Sequence, residues 1–586
     1  MNESSTNQNT SQDAFGPDTR CLPQKSEIDQ ALLELAERKN KWITLALSKK
    51  IELLKQVLTE ITDGAKAQVN DALIAKGLGV DSALASEDWL GGPYANARII
   101  GTLIESLESL EAHGHTGVTE KDAYTLDNGQ VAIKVLPKRL IDHILIYGFR
   151  GEVRLQKHIK ANEWLERCAK VYKEPPNEGR IALVLGAGNV ASIGLLDVIH
   201  KLYLEAQVCV LKFNPVNEYL EVHYAKALRP LIEAGYIRMF KGGAAEGEYL
   251  CQHELVDEIH ITGSDKTHDA IVYGVGEEGA QRKAKDEPIC DKKISSELGN
   301  VSPIIIVPGS WTQTEINFHA ANIATMIYNN VGFNCNAARV LIMQKGWPQK
   351  RALTDAIKAV LASLEARPSY YPGAGDRYKR FIDSDAGAVA IKPKKFSSTE
   401  GALPIGLIVD IDPSDHEHLC FNEEAFCAMT ATTCLEASDA RSFLRVATQF
   451  ANEVLWGTLN ATMIIDPRTQ KTFKQAFDKA ITELKYGSVC VNHWPALSYG
   501  LGTTTWGAYP GHARNDIQSG TGVVHNTYLL EDVEKTVIYG PFLVWPKPPW
   551  FVTHKRSKEI AEVLVETSTE VKPKALLKLF YHALRG

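Results

Sequence analysis

Four short stretches carry residue types that could act together on a carbonyl carbon. Asn189 lies in "RIALVLGAGNVASIG" (Arg180 to Gly194), Glu297 in "ISSELGNVSP", and Cys335 in "NNVGFNCNAARV". Two further acids, Glu423 and Glu424, stand beside Phe426 in "NEEAFCAMT". A cysteine, a carboxylate and an amide donor make a thiol-nucleophile chemistry. The thiolate attacks a carbonyl, the amide N–H stabilises the oxyanion, and the carboxylate activates water to release the acyl group. Each residue also has a plainer reading. Most cysteines are buried hydrophobes, a lone Glu is mostly a solvated surface charge, and an Asn in a strand-to-helix turn favours the helix cap.

The loop around Asn189 invites a second chemistry. Gly186-x-Gly188-x-x-Ala191 places glycines at a turn before a helix, as in a dinucleotide-binding finger. That finger also needs an acid at the end of the second strand to hold the ribose. Here the second strand, "VCVLKF", ends in Lys212, a cation. The finger reading is therefore weak. On these residues alone, Asn189 is either a helix cap or an amide pointing over the C-terminal edge of a sheet, where ligands bind in open α/β folds.

The elements that must position these groups follow from hydrophobic periodicity. From Ile28 to Lys76, and again from Ile99 to Leu110, apolar residues recur three and four apart, which predicts helices. Between Tyr124 and Tyr147, "VAIKVLP" and "HILIYGF" both read as strands. After Gly179 the texture is α/β: strand Ile181 to Leu185, helix Ala191 to Glu205, and strand Val208 to Phe213. Then come helix Asn217 to Ala234, strand Ile237 to Phe240, a short helix, and strand Glu258 to Thr262. Continuous apolar strands alternating with helices predict a parallel sheet covered on both faces. A second α/β pattern runs from Pro303 to about Val491, and the chain ends in the Pro/Trp-rich "VWPKPPW" and an amphipathic helix, Lys574 to Leu584.

The chain's 586 residues suffice for two or three domains. A net charge of −7 without a long basic block speaks against nucleic acid as the main partner. No apolar stretch is long enough for a membrane span. Met1 to Ser26, rich in Ser, Asn and Gln, reads as a disordered tail without the apolar core of a secretory signal. Ten scattered cysteines without a CxxC pair suit a reducing, cytoplasmic setting.

Taken in order, these motifs resemble the aldehyde dehydrogenase superfamily, on a divergent, bacterial-type branch, over residues 28 to 530 or so. Asn189 precedes Lys212 at the spacing of that family's oxyanion asparagine and coenzyme lysine. "HITGSDKT" resembles its Thr-Gly-Ser turn, here Thr262, Gly263 and Ser264, which faces the pyrophosphate. "ELGNVSP" resembles Glu-Leu-Gly-Gly-x-x-Pro and makes Glu297 the general base. "NVGFNC" resembles Gly-Gln-x-Cys and makes Cys335 the nucleophile. "EEAF" resembles Glu-Glu-Ile-Phe, which assigns Glu424 to the nicotinamide ribose and Phe426 to the nicotinamide ring. The resemblance implies a Rossmann-type parallel-sheet coenzyme domain, a second α/β catalytic domain and a small β oligomerisation arm. On it, residues 27–130 and 178–296 bind the dinucleotide, 297–500 form the catalytic domain, and 131–177 with 520–586 form the arm and a C-terminal extension. It implies NAD or NADP, no metal, a small-molecule aldehyde substrate, and a homodimer or homotetramer built through the segment Val131 to Phe149.

The sequence also departs from the family pattern. Pro-Trp-Asn-Phe-Pro is replaced by Ala187-Gly188-Asn189-Val190-Ala191, which lacks the aromatic and both prolines. The acid after the lysine falls at Glu218, so whether it reaches the adenosine ribose, and hence NAD against NADP, stays open. His268 stands where the family has a small Gly; it either narrows the pyrophosphate pocket or is a partly exposed helix histidine. Cys427 follows Phe426 and reads as a packed thiol. Tyr328, Trp494, Tyr499, Trp506 and Tyr509 are candidates to line the substrate tunnel, or else core. Two other functions stay open: a CoA-acylating dehydrogenase or acyl reductase of the same fold, and a catalytically silent binding or scaffold protein.

Overall fold

The computed structural model describes residues 24–139, 142–569 and 572–586. Most of the expected N-terminal tail lies outside the described residues, but its end is not a tail. Helix α1, Lys25–Thr44, already contains Lys25 and Ser26. It buries Ile28, Leu32 and Leu35 on one face, and its Trp42 Nε1 donates to Leu202 O at 2.8 Å. Helix α2, Leu47–Ala75, buries Ile51, Leu54, Val57 and Ile61 in the same core, and α3, Ala95–His113, packs beside it.

The strands in chain order begin with β1 Ala123–Thr125, β2 Val131–Leu136, β3 Arg150–Leu155 and β4 Arg180–Leu185. They continue with β5 Gln207–Lys212, β6 Ile237–Phe240, β7 Glu258–Thr262, β8 Lys293–Glu297, β9 Pro303–Ile306 and β10 Val340–Gln344. The rest are β11 Val389–Ile391, β12 Ile405–Ile411, β13 Met429–Leu435, β14 Asn460–Ile464, β15 Ser488–Val491, β16 Trp506–Gly507, β17 Gly520–Thr521, β18 Val523–Val524 and β19 Val533–Tyr539.

Two large sheets result. The first has the order β17-β8-β7-β4-β5-β6, with β4 to β8 mutually parallel. Both faces of β4 and β5 are covered, which is why they read as unbroken apolar runs. The second has the order β1-β2-β3-β19-β15-β14-β9-β10-β13-β12-β11. Its centre, from β19 to β12, is parallel, and antiparallel strands flank it at both ends. Strand β17 is the edge of the first sheet and holds the end of β8: Gly520 pairs with Glu297, and Leu298 N donates to Ser519 O at 2.9 Å.

Two sequence expectations need correction. "HILIYGF" is not a strand: Asp142–Leu145 is a helical turn and the strand starts at Arg150. The turn is set from a distance, because Arg98 Nη2 pairs with the buried Asp142 at 2.5 Å. Exposure there does not alternate: Tyr147 is 83% exposed and Phe149, two residues on, 4%. The expected helix Asn217 to Ala234 is three pieces: a 3-10 turn Pro215–Leu220, then Glu221–Ala227 and Arg229–Glu233. Pro230, which has no N–H to donate, sits at the start of the last piece. Strands β2 and β3 form an antiparallel pair, and β3 also pairs with β19.

Candidate active site

Cys335 follows α6 if helices are numbered on through α4, Ile193–Leu204, α5, Asp265–Tyr273, and α6, Gln313–Tyr328. Between α6 and Cys335 the backbone is left-handed at three successive residues, Asn330 (φ 50°), Val331 (φ 55°) and Gly332 (φ 72°). A left-handed β-branched residue costs on the order of 1–3 kcal/mol and persists only where surroundings over-determine it. They do here. Asn330 N donates to Glu87 Oε2 at 2.8 Å, and Asn330 Nδ2 donates to Asn189 O at 3.0 Å. Arg339 clamps the same loop by donating to Cys427 O at 2.7 Å and Gly332 O at 2.8 Å. Gly332 has no room for a side chain, since a Cβ would fall 2.4 Å from Cys427 O. Asn460 Nδ2 fixes the nucleophile's own carbonyl at 3.1 Å.

The strained loop brings Cys335 Sγ to 3.4 Å from Glu297 Oε1. Glu297 is buried at the end of β8, held there by β17. Burial raises its carboxyl to about 7, and the nearby charge of Asp197 pushes the same way. Burial, with Glu297 and Glu424 nearby, pushes the Cys335 thiol well above its ordinary value. This places a protonated thiol beside a carboxyl whose pKa lies near neutrality, a pairing that can pass a proton from sulfur to oxygen. The second carboxyl oxygen, Glu297 Oε2, has no hydrogen-bond partner among the described residues. A buried acceptor left open in this way suits a reacting water.

Asn189 is not the cap of α4, which is Ser192. Its Nδ2 donates across the site to Phe333 O at 3.0 Å, which uses one of the two amide hydrogens. The other is free for an oxyanion. Asn189 and Cys335 line one cavity of about 530 Å³. Of the candidate tunnel aromatics, Trp494 and Tyr499 line it. Tyr328, Trp506 and Tyr509 do not; Trp506 is core, and Tyr328 donates to Glu365 O at 3.1 Å. Sequence reasoning passed over Asn330, Asn334 and Asn336, which also line the cavity. The signal was present: "NNVGFNCN" surrounds the cysteine with four asparagines.

The residues expected to hold a coenzyme lie along the other side of β8. Lys212 ends β5, buried, with no hydrogen bond or ion pair at its Nζ among the described residues. Burial lowers its pKa. Gly263 and Ser264 open α5: Ser264 Oγ caps Thr267 N at 3.1 Å, and Gly263 N donates to Glu297 O at 3.0 Å. Glu424 is half-buried, its carboxyl raised to about 7 chiefly by desolvation, with Arg339 at 3.8 Å. Its Oε1 has no hydrogen-bond partner among the described residues. Phe426, in the left-handed region (φ 41°), packs 5.0 Å from the Tyr371 ring and 5.9 Å from Phe333. Glu218 instead accepts from Gly242 N at 3.1 Å. His268 is buried on α5, so the partly exposed reading fails; its Nδ1 faces Asp269 at 3.4 Å. Cys427 is a buried, packed thiol. The glycine turn at Gly188 is filled by Asn214, whose Oδ1 lies 2.7 Å from where a Cβ would stand, leaving no phosphate cradle.

Comparison with known proteins accords with this geometry. The aldehyde dehydrogenase family model matches residues 206–370. That segment is similar to the aldehyde dehydrogenase family, and the chain as a whole has the aldehyde dehydrogenase fold. The matched segment holds Lys212, Gly263, Ser264, Glu297 and Cys335, whereas Asn189, Glu424 and Phe426 lie outside it. An N-succinylglutamate 5-semialdehyde dehydrogenase of Novosphingobium aromaticivorans is 29% identical over 113 residues, 19% of this chain and 21% of the relative's length. The aldehyde dehydrogenase fold extends much further. A glyceraldehyde-3-phosphate dehydrogenase of Methanocaldococcus jannaschii complexed with NADP aligns over 90% of this chain and 98% of its own, at 15% identity and a TM-score of 0.57. An NAD-dependent aldehyde dehydrogenase of Sinorhizobium meliloti aligns over 87% and 86%, at 13% identity and a TM-score of 0.57.

Proposed function

We propose that the chain oxidises an aldehyde to a carboxylic acid with NAD or NADP, through a thioester on Cys335. The observation that carries this is the 3.4 Å contact between Cys335 Sγ and Glu297 Oε1 in a cavity shared with Asn189. A coenzyme fits the residues present. Glu424 Oε1 accepts no hydrogen bond from the described residues and so suits a ribose hydroxyl, and Lys212 is a buried cation with no paired carboxylate among them. The Gly263-Ser264 turn at the N-terminus of α5 suits a pyrophosphate. Glu218, engaged with Gly242, leaves the choice between NAD and NADP open.

Sulfur bonds to the aldehyde carbon as its proton passes to Glu297, and the carbonyl electrons move onto oxygen. The free N–H of Asn189 and the Cys335 backbone N–H hold that oxyanion, each donor contributing about 3–4 kcal/mol by analogy with other oxyanion holes. NAD or NADP, when bound, supplies the two-electron acceptor that takes the carbon to the thioester level. Glu297 gives the thiol's proton up to solvent and then removes a proton from water; water oxygen bonds to the acyl carbon, the carbon–sulfur bond breaks, and Glu297 returns the proton to the departing sulfur. In this reading the six-stranded sheet and its helices carry the coenzyme, and the centre of the eleven-stranded sheet carries the nucleophile. Assembly as a homodimer or homotetramer through the β2-β3 segment stays part of the proposal.

Cys335→Ala tests the assignment. Turnover of any aldehyde is expected to disappear while NAD(P)H binding, followed by fluorescence, stays unchanged. Retained turnover in that variant would sink it.

A further inference from the structure

Resting on the aldehyde reading, we propose that the substrate is a long, unbranched, apolar aldehyde, and that the segment after β19 builds the outer half of its tunnel. The cavity is chemically two-ended. At the nucleophile it is polar, lined by Asn189, Asn330, Asn334 and Asn336. Away from the nucleophile it runs between Leu497, Leu501, Val544 and Trp550. It ends against two helices of the C-terminal segment, α7, Ser557–Glu566, and α8, Pro573–Ala583. Ile560 and Leu564 of α7, with Leu576, Leu579 and Phe580 of α8, line that end.

Lys76 pairs with Asp88 at 2.7 Å and Glu87 with Arg367 at 2.6 Å. Lys547 Nζ donates to Thr553 O at 3.3 Å and pairs with no carboxylate among the described residues. The other side chains of that end are mostly apolar, which suits a chain of methylenes. The mouth has the same character on its outer side. Trp545 is 82% exposed and Phe580 52%, which places apolar side chains in water where the tunnel opens. Surface of that kind marks a site of contact with something apolar. A volume of about 530 Å³ is within the range of sites that bury most of a ligand.

The test is a series of straight-chain aldehydes from two to twelve carbons, run with saturating NAD and with saturating NADP. Each methylene buried is worth about 0.8 kcal/mol, or roughly fourfold in kcat/KM. The expected result is a rise of that order per carbon until the chain passes α8, then a plateau. Ala583→Trp, which fills the outer cavity, is expected to cut the dodecanal value at least tenfold and leave acetaldehyde unchanged; the unchanged short substrate shows that the variant is folded. In parallel, dodecanoate is expected to raise the thermal midpoint and acetate not to. A flat or falling series with acetaldehyde still oxidised overturns this inference and leaves the aldehyde reading standing. Oxidation of no aldehyde with either coenzyme overturns both.

Discussion

Replacing Glu297 by Gln separates the chemical role of this carboxyl from its energetic burden. The substitution keeps the shape and removes the charge. Burial raises the carboxyl from an ordinary 4.5 to about 7. At about 1.4 kcal/mol per pKa unit, the ionised side chain costs the native state about 3 kcal/mol. The sign follows from proton uptake: the folded state holds this proton more tightly than the unfolded chain. Wild-type stability from this group is therefore full below pH 4.5, falls as pH rises, and is lost just above pH 7. Glu297→Gln lacks that loss. It introduces an amide N–H opposite the unpartnered Oε2 position, an offset of about 1 kcal/mol. Urea unfolding at pH 8 is thus expected to find the variant about 2 kcal/mol more stable, and at pH 5 close to wild type. Glu424, also near 7, keeps its own slope in both proteins. Catalytically, the variant lacks the base for both half-reactions and is expected to slow the NAD(P)H burst as well as steady turnover, the latter by about 10²- to 10⁴-fold. The wild-type rate of acyl release should rise with an apparent pKa near 7 that belongs to the Cys335–Glu297 pair, and that limb should vanish in the variant. Parallel stability curves between pH 5 and 8, or undiminished steady turnover, would refute the reasoning.

Two further substitutions probe how the site is held. Asn189→Ala removes an oxyanion donor and is expected to lower kcat by about 10²- to 10³-fold, read in steady-state assays, with coenzyme binding retained. Gly332→Ala places a Cβ 2.4 Å from Cys427 O at a φ of 72°; a loss of about 1–3 kcal/mol in urea unfolding is expected, together with loss of the NAD(P)H burst.

Much of this molecule was legible in its residues. Strands β4 and β5 announced themselves because both their faces are buried, so Ile181–Leu185 and Val208–Leu211 run without a polar interruption. The site was legible for a related reason. Each of the thiol, carboxyl and amide has a plainer reading alone, and it was their motifs taken together in order that pointed to one site; Cys335 and Glu297 do meet. "HILIYGF" misled because a short apolar run fits a strand or a buried turn equally well. The choice fell to Arg98, 44 positions from its partner Asp142. The expected helix at Asn217 failed for a local reason that was present in the sequence, Pro230.

The sequence by itself determined the order of elements and the chemical types at the site, because periodicity and side-chain chemistry are properties of neighbouring residues. Tertiary structure alone decided three things. It raised Glu297 to about 7, since burial is a property of the fold and not of glutamate. It forced the left-handed turn before Cys335 through Asn330 and Arg339, held by partners from distant segments. And it laid the C-terminal helices along the cavity that begins at Cys335, an apposition of residues more than two hundred positions apart that no local pattern encodes.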